Sequence, residues 1–389
     1  MIINKNPDIL IPGGSFGAAL GKTILKNHPE RTGHLLSTDE NEYQQRVNEE
    51  GETVFNVEPL FKKVIKDPAK DINVEDCDLP LNMTCSDRSE IVNLGAPAER
   101  GLLVLAYPVP AIREALQYLF SKSDRFITNR DILLISKGLE KGTLKTPCQI
   151  TEDVLAEVGL LSEEIRKSIC YLIGPNLAWE LIRGDDMITN IAGEMEAVKR
   201  IAKLFHEASM TIYQTRGRFG LEILGGLKNA LAIGAGALKG LDLLGHRMGN
   251  STRASFAAIC RAEEKRLIYV LDKIAAESLA TQYGAEGDSI LAYGFGDTRN
   301  YGAGVTLVQR YGEYLAGKTL SELMDNQVIE GEGAAEPLLQ LAAQHGIKMP
   351  ILSVIVRILK REINLQGALL KIKEISHSWS QRQLEGLDI

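Results

Sequence analysis

DILIPGGSFGAALGKTILKNHPERTGHLLSTD, residues 8–39, sets the architecture of the first half of the chain. Asp8 to Pro12 is short and apolar, the pattern of a buried strand. Gly13-Gly14-Ser15-Phe16-Gly17 follows as a glycine turn, and Ala18 to Asn27 reads as a helix. Gly33 to Ser37 is a second short apolar strand that ends near Asp39, an acid 22 residues beyond the last turn glycine. This order is that of a dinucleotide-binding unit, in which small residues let the backbone approach a pyrophosphate and the acid meets the ribose hydroxyls. The alternative is a plain strand–helix–strand turn without a ligand. Where the first glycine of the fingerprint belongs, the chain has Pro12, with a fixed φ and no N–H. The tight turn then falls to Gly13, while Gly14 and Gly17 keep the second and third glycine positions.

Beyond this unit, residues 41–80 are polar and punctuated by Pro59, Pro68 and Pro80, a surface excursion of mixed helix and loop. Three continuous apolar runs follow: Leu102–Tyr107, Ile132–Ser136 and Ile169–Ile173. Such runs suit parallel strands covered on both faces. Helical stretches at Ala111–Phe120 and Thr151–Glu157 alternate with them, which argues a doubly wound α/β domain. Ligands of such sheets sit beyond the carboxyl ends of the strands, where Pro108, Lys137-Gly138 and Gly174-Pro175-Asn176 fall. After about Arg216 the strand-like runs stop. Helices are expected at Leu221–Leu241, Arg253–Ser278, Tyr311–Ala316, Ala334–His345 and Pro350–Leu359, with a polar, fraying tail from Lys373. The expected organisation is an N-terminal α/β domain over 1–215 and an all-helical domain over 216–389.

One helix of the second half carries a chemical anomaly. LEILGGLKNALAIGAGALKGLDLLGHRMGNSTR, residues 221–253, is apolar and glycine-spotted, yet Lys228 lies in its middle. Desolvation penalises an ammonium and lowers its pKa, the condition for a proton donor near neutral pH. Snorkelling from a helix end is the structural alternative. Gly249 to Arg253 reads as a helix start with a cation on its first turn, a seat for an anion or a plain cap.

The composition narrows the function classes. The 389 residues are 44% hydrophobic and 24% charged, with a net charge of −7 and no basic run, which speaks against a nucleic-acid partner. The apolar stretches are interrupted by Lys228 and Lys239, so no membrane span is expected. Five scattered cysteines without a CxxC pair read as reduced cytoplasmic thiols, and the six histidines form no metal-binding pattern.

Nine segments, in order, carry a resemblance. They are the glycine turn, AYPVPAIREAL (106–116), ISKGLE (135–140), GPNLAWEL (174–181), EILGGLKNALAIGAGAL (222–238), GNSTRA (249–254), GFGD (294–297), VIEG (328–331) and GIKMPI (346–351). Together they resemble the soluble NAD(P)-dependent glycerol-3-phosphate dehydrogenases, from about residue 8 to 360. The resemblance implies a Rossmann-type domain, a helical substrate domain, and interconversion of dihydroxyacetone phosphate and glycerol 3-phosphate. It makes Lys228 the acid/base, Lys137 a second active-site lysine that also borders the cofactor, and Asp297 the carboxylate that orients Lys228. Asn229, Thr252 and Arg253 become substrate contacts. Gly14, Ser15, Phe16, Gly17, Asp39, Pro108, Gln327 and Glu330 become cofactor contacts.

The chain departs from the family at Pro12, at Asp39 where an arginine is usual, and in the arginine–asparagine stretch. That stretch has two frames here, one ending on Arg310 and one using Arg299-Asn300. Asp39 would repel a 2′-phosphate, so the expected cofactor is NAD, with NADP still open. The expected partners are a small phosphorylated substrate and a second copy of the chain in a homodimer. The competing readings are the same hydride chemistry on another phosphorylated or acidic hydroxy compound, and a cofactor-binding relative without catalysis.

Overall fold

A computed structural model describes residues 5–37, 39–64, 73–205, 210–281, 283–296 and 298–384. The chain divides into two compact units. The first comprises Met1–Ser136, Pro147–Arg218 and Ser278–Gly287, and the second Lys137–Thr146, Phe219–Glu277 and Asp288–Ile389.

Among the described residues the first unit holds ten strands: β1 (Ile9–Pro12), β2 (Gly33–Ser37), β3 (Gln44–Val47), β4 (Thr53–Asn56), β5 (Met83–Asp87), β6 (Gly101–Leu105), β7 (Arg130–Leu134), β8 (Ile169–Ile173), β9 (Met187–Ala192) and β10 (Met210–Thr215). Eight form one sheet in the order β10-β9-β8-β7-β6-β1-β2-β5. Its helices are α1 (Ser15–Asn27), α2 (Glu58–Val64), α3 (Val109–Lys122), α4 (Pro147–Glu157), α5 (Glu163–Ser168), α6 (Ala178–Arg183) and α7 (Met195–Leu204). The strand order reverses around β1, between β2 and β6, the switch point at which doubly wound sheets take ligands. Ile9, Ile11, Leu102, Val104 and Leu133 are buried in the core with Ala18, Leu20 and Ile24 of α1.

Three features of this unit differ from the sequence expectation. The sheet is mixed, because β8 pairs with β9 antiparallel. Strands β5, β9 and β10 were absent from the expectation, since polar residues interrupt their apolar pattern. In β5 the cause is visible: Thr84 and Ser86 meet the two ring nitrogens of buried His34 at 2.6 and 2.8 Å. Burial brings the His34 pKa down to about 4, so the ring is neutral and needs those hydroxyls. The polar excursion also contains a hairpin, β3–β4, paired antiparallel from Gln44↔Asn56 to Val47↔Thr53.

The helices of the second unit, two of which begin in the first, are α8 (Arg218–Leu243), α9 (Asn250–Leu271), α10 (Lys273–Thr281), α11 (Tyr283–Gly294), α12 (Arg299–Gln309), α13 (Tyr311–Leu315), α14 (Leu320–Leu323), α15 (Glu330–Gln344), α16 (Pro350–Leu359) and α17 (Leu365–Leu384). The helix expected over Arg253–Ser278 is two helices, parted at Asp272, whose carboxylate accepts from the N–H of Ala275 and of Gly220. The tail expected to fray from Lys373 is helical to Leu384. Helix α8 is long and apolar enough to cross a bilayer, contrary to the expectation that its lysines shorten it. Its most apolar window is 94% buried inside the protein, so it serves as the core helix of this unit.

Candidate active site

In the first unit the glycine turn is shaped by backbone. Pro12 closes β1 opposite Leu36, and the Gly13 N–H donates to the carbonyl of Ile11. Gly13 and Gly14 have φ of +89° and +85°, a region that penalises any side chain. Gly13 therefore makes the turn that the missing first glycine would have made. A Cβ on Gly14 would lie 2.9 Å from the Cβ of Ala106 beyond β6, so the turn is pressed against its neighbour. Gly14 is the N-cap of α1 and offers no side-chain cap, and no acid occupies the first helical turn. The first helical bond runs from Ala18 to Gly14, which leaves the N–H groups of Ser15, Phe16 and Gly17 ahead of the ladder. A compact, uncapped N-terminus of this kind fits a pyrophosphate.

At the end of β2, Asp39 caps a short 3-10 turn: its Oδ1 accepts from Asn41 N at 2.9 Å and from Asn41 Nδ2 at 2.8 Å. The Ser37 hydroxyl bonds Glu42 at 2.5 Å and the Asp39 carbonyl at 2.7 Å. Glu42 is a second acid at this strand end that the sequence reading did not single out. Pro108 is the exposed N-cap of α3.

In the second unit the side chains do the work. Lys228, at the middle of α8, is 3% exposed, and Asp288 on α11 is 1% exposed. Lys228 Nζ lies 2.9 Å from Asp288 Oδ1, and Lys137 Nζ lies 2.8 Å from Asp288 Oδ2. One carboxylate is thus held between two ammonium groups. Burial lowers the Lys228 pKa to about 8; Asp288 and Glu330 oppose the shift, and Lys137 adds to it. The approach of Lys137 depends on glycine: a Cβ on Gly226 would lie 2.8 Å from the Cα of Gly138. Asp297 lies outside the described residues. Asp288 was not singled out, although Gly287-Asp288 repeats the Gly-Asp pair of Gly296-Asp297 nine residues earlier.

Next to Lys228, Asn229 Nδ2 donates to Glu330 Oε2 at 2.9 Å. Asn300, 6% exposed, accepts from the Gly331 N–H at 2.8 Å. A Cβ on Gly331 would meet the Asn229 carbonyl at 2.3 Å and Asn300 Oδ1 at 2.9 Å, so the two asparagines flank one glycine. Thr298 caps α12, and exposed Arg299 follows it with Nη1 at 3.4 Å from the Val328 carbonyl. Arg253 reaches the same end of α12 through the Tyr301 hydroxyl at 3.4 Å, and it also bonds Asn250. Thr252 is exposed on the first turn of α9.

Arg310 sits at the other end of α12, roughly 16 Å away at 1.5 Å per residue. It forks onto Glu313 at 2.6 and 2.7 Å and donates to the Leu323 carbonyl. The two arginine frames therefore occupy opposite ends of one helix, and Arg299-Asn300 is the pair beside Asn229 and Arg253. Gln327 is half-buried, with its carbonyl accepting from Ser321.

The dinucleotide-binding unit and the lysine–carboxylate cluster belong to one chain, and they define its class as an NAD(P)-dependent oxidoreductase acting on hydroxy or keto substrates. Models of the NAD-dependent glycerol-3-phosphate dehydrogenase N-terminus and C-terminus match residues 9–199 and 218–370, and the chain belongs to that family. It is 25% identical over 364 residues to a glycerol-3-phosphate dehydrogenase [NAD(P)+] of Staphylococcus aureus, covering 93% of this chain and 96% of the relative. A Polaromonas enzyme of the same name is 31% identical over 290 residues, 72% of this chain and 76% of its own. The fold is shared with the crystal structure of glycerol-3-phosphate dehydrogenase from Coxiella burnetii, at a TM-score of 0.70 and 22% identity over 95% of this chain and 99% of that one.

Proposed function

We propose that this enzyme interconverts dihydroxyacetone phosphate and sn-glycerol 3-phosphate with NAD(H). The observation that carries the reading is Asp288 held between Lys137 and Lys228. The nicotinamide, when bound, supplies or takes the hydride at the substrate's C2. An oxyanion develops on the C2 oxygen as the carbonyl is reduced. Two ammonium groups against one carboxylate leave a net positive charge for it. Lys228 protonates the alkoxide, and in the reverse direction it takes the hydroxyl proton. Lys137 polarises the carbonyl, and Asp288 keeps both lysines in register. Asn229, Asn300 and Arg299, with Arg253 and Thr252 beside them, form the phosphate end of the substrate site. Helix α12 adds its N-terminal dipole to that end.

Ser15 to Gly17 bind the pyrophosphate, and the acids at the end of β2 favour NAD. The test is oxidation of NADH and of NADPH with dihydroxyacetone phosphate and a panel of other phosphorylated or acidic keto compounds. Dihydroxyacetone phosphate should give the highest kcat/KM, with NADH preferred. A better substrate elsewhere in the panel sinks the assignment while leaving the hydride chemistry standing. Tight NADH binding without turnover of any panel member sinks both.

A further inference from the structure

Two adjacent acids of α9, Glu263 and Glu264, are fully buried. Glu263 accepts from the N–H groups of Ile351 and Leu352 at the start of α16. Glu264 faces α11 instead. Its Oε1 accepts from the Tyr293 hydroxyl and, at 3.3 Å, from the Ser289 hydroxyl. Its Oε2 accepts from Arg261, which also donates to Ser289 at 2.9 Å. Ser289 and Tyr293 are four residues apart on α11, on one face of the helix. Asp288 precedes Ser289 and projects about 100° around the helix from it.

A charged network in this place is a costly way to pack two helices, because apolar contacts would do as well or better. What it adds is register. Helix α11 is tied down at its start, where the Ala285 N–H donates to Asn190 Oδ1 at 2.8 Å, whereas a Cβ on Gly294 at its other end would meet nothing within 4 Å. A slip of one residue would carry Asp288 about 1.5 Å along the axis and 100° around it. Misplacement of a catalytic group by about 1 Å costs on the order of 100-fold in rate. We infer that Glu264 is a positioning residue: its bonds to Ser289 and Tyr293 fix the rotation and height of α11, so that the Asp288 carboxylate meets Lys137 and Lys228. This rests on the proposed roles of Lys228 and Asp288.

The test compares Glu264→Gln, Tyr293→Phe and Asp288→Asn in the full-length enzyme, with folding checked by circular dichroism and melting. Two quantities are read: kcat for dihydroxyacetone phosphate, and the Lys228 titration followed by NMR of ε-13C-lysine assigned with Lys228→Arg. The groups facing Lys228 are Asp288, Lys137 and Glu330, so a displaced Asp288 lowers its titration midpoint. Glu264→Gln should lower kcat about 10- to 100-fold and move the midpoint down, with KM for NADH unchanged. Tyr293→Phe should act in the same direction by a few-fold, and it decides the matter if Glu264→Gln does not fold. Glu264→Gln added to Asp288→Asn should shift the midpoint no further, since the two act through one carboxylate. Folded variants that leave kcat and the midpoint at wild-type values overturn the inference. An Asp288→Asn protein in which Lys228 titrates as in the wild type overturns the reading of the site, and the inference with it.

Discussion

In the proposed function, the turn at Gly13–Gly17 and the cluster at Lys137, Asp288 and Lys228 are two ways of presenting charge to a ligand. In the turn, the groups offered are backbone N–H donors, and the sequence contributes by leaving side chains out: Gly14 has φ +85° and no room for a Cβ. In the cluster, Lys228 and Asp288 stand on ordinary helix and Lys137 on the loop after β7, and the sequence contributes three titratable side chains 60 to 151 residues apart. A backbone site is fixed by local conformation, so it tolerates changes of side-chain chemistry but not of size. A side-chain site is fixed by packing between distant elements. There a change of chemistry at constant size is enough to disable it.

The largest effect should follow from that second property. Lys228→Ala should lower kcat by about 10²–10⁴-fold, the scale of a general acid. Asp288→Asn, equal in size, should approach the same loss. KM for NADH should hardly move in either variant. Steady-state kinetics with both substrates varied checks this, and a large rise in KM for NADH would blur the distinction between the two regions. Gly14→Ala is the converse experiment. An alanine there meets Ala106 at 2.9 Å and an unfavourable φ of about 1–2 kcal/mol, so the Kd for NADH should weaken roughly 10- to 100-fold. The Lys228 titration should stay where it is. Fluorescence titration of NADH reads the first quantity, and a full-affinity alanine variant would mean that the turn does not hold the pyrophosphate.

The same contrast decides how much could be read from the sequence. The turn is contiguous, so its strand, glycines and helix are visible as a string, and even the replacement by Pro12 points to Gly13 as the substitute. Lys228 is legible because an ammonium in an apolar helix is anomalous whatever surrounds it. Its partner is not legible. Gly-Asp occurs at 287–288 and again at 296–297, and nothing local tells which aspartate reaches Lys228. Only the packing of α11 against the rest of its unit brings Asp288 to 2.9 Å. Strand β5 escaped for a related reason: its polar residues Thr84 and Ser86 are satisfied by His34, distant in sequence.

A pH profile sharpens the comparison further, because the cluster titrates and the turn does not. Lys228 is held near 8 by burial. In the proposed mechanism, reduction of the ketone needs its protonated form, so the rate should be level below that pH and fall about tenfold per unit above it. Oxidation of the alcohol needs the neutral form and should rise through the same pH. The Kd for NADH should be flat across this range. Identical pH limbs in the two directions would rule out Lys228 as the proton carrier.

The smallest effect concerns the acids at the end of β2, where the two strategies meet. Asp39 spends Oδ1 on the N–H and the side chain of Asn41, so asparagine at 39 can keep the acceptor and the turn. Glu42 is held by Ser37, itself 2% exposed, and places its charge at the same strand end. A 2′-phosphate would face both carboxylates at a partly solvated surface, where each repulsion is worth about 1 kcal/mol or less once screened. Glu42→Gln should therefore raise the NADPH-to-NADH ratio of kcat/KM by about 2- to 5-fold at low salt. Asp39→Asn should raise it by a similar or smaller factor, and both gains should shrink as salt is added. Ratios that stay fixed in both variants would show that this strand end does not read the ribose. A response confined to Asp39→Asn would return the discrimination to that carboxylate alone.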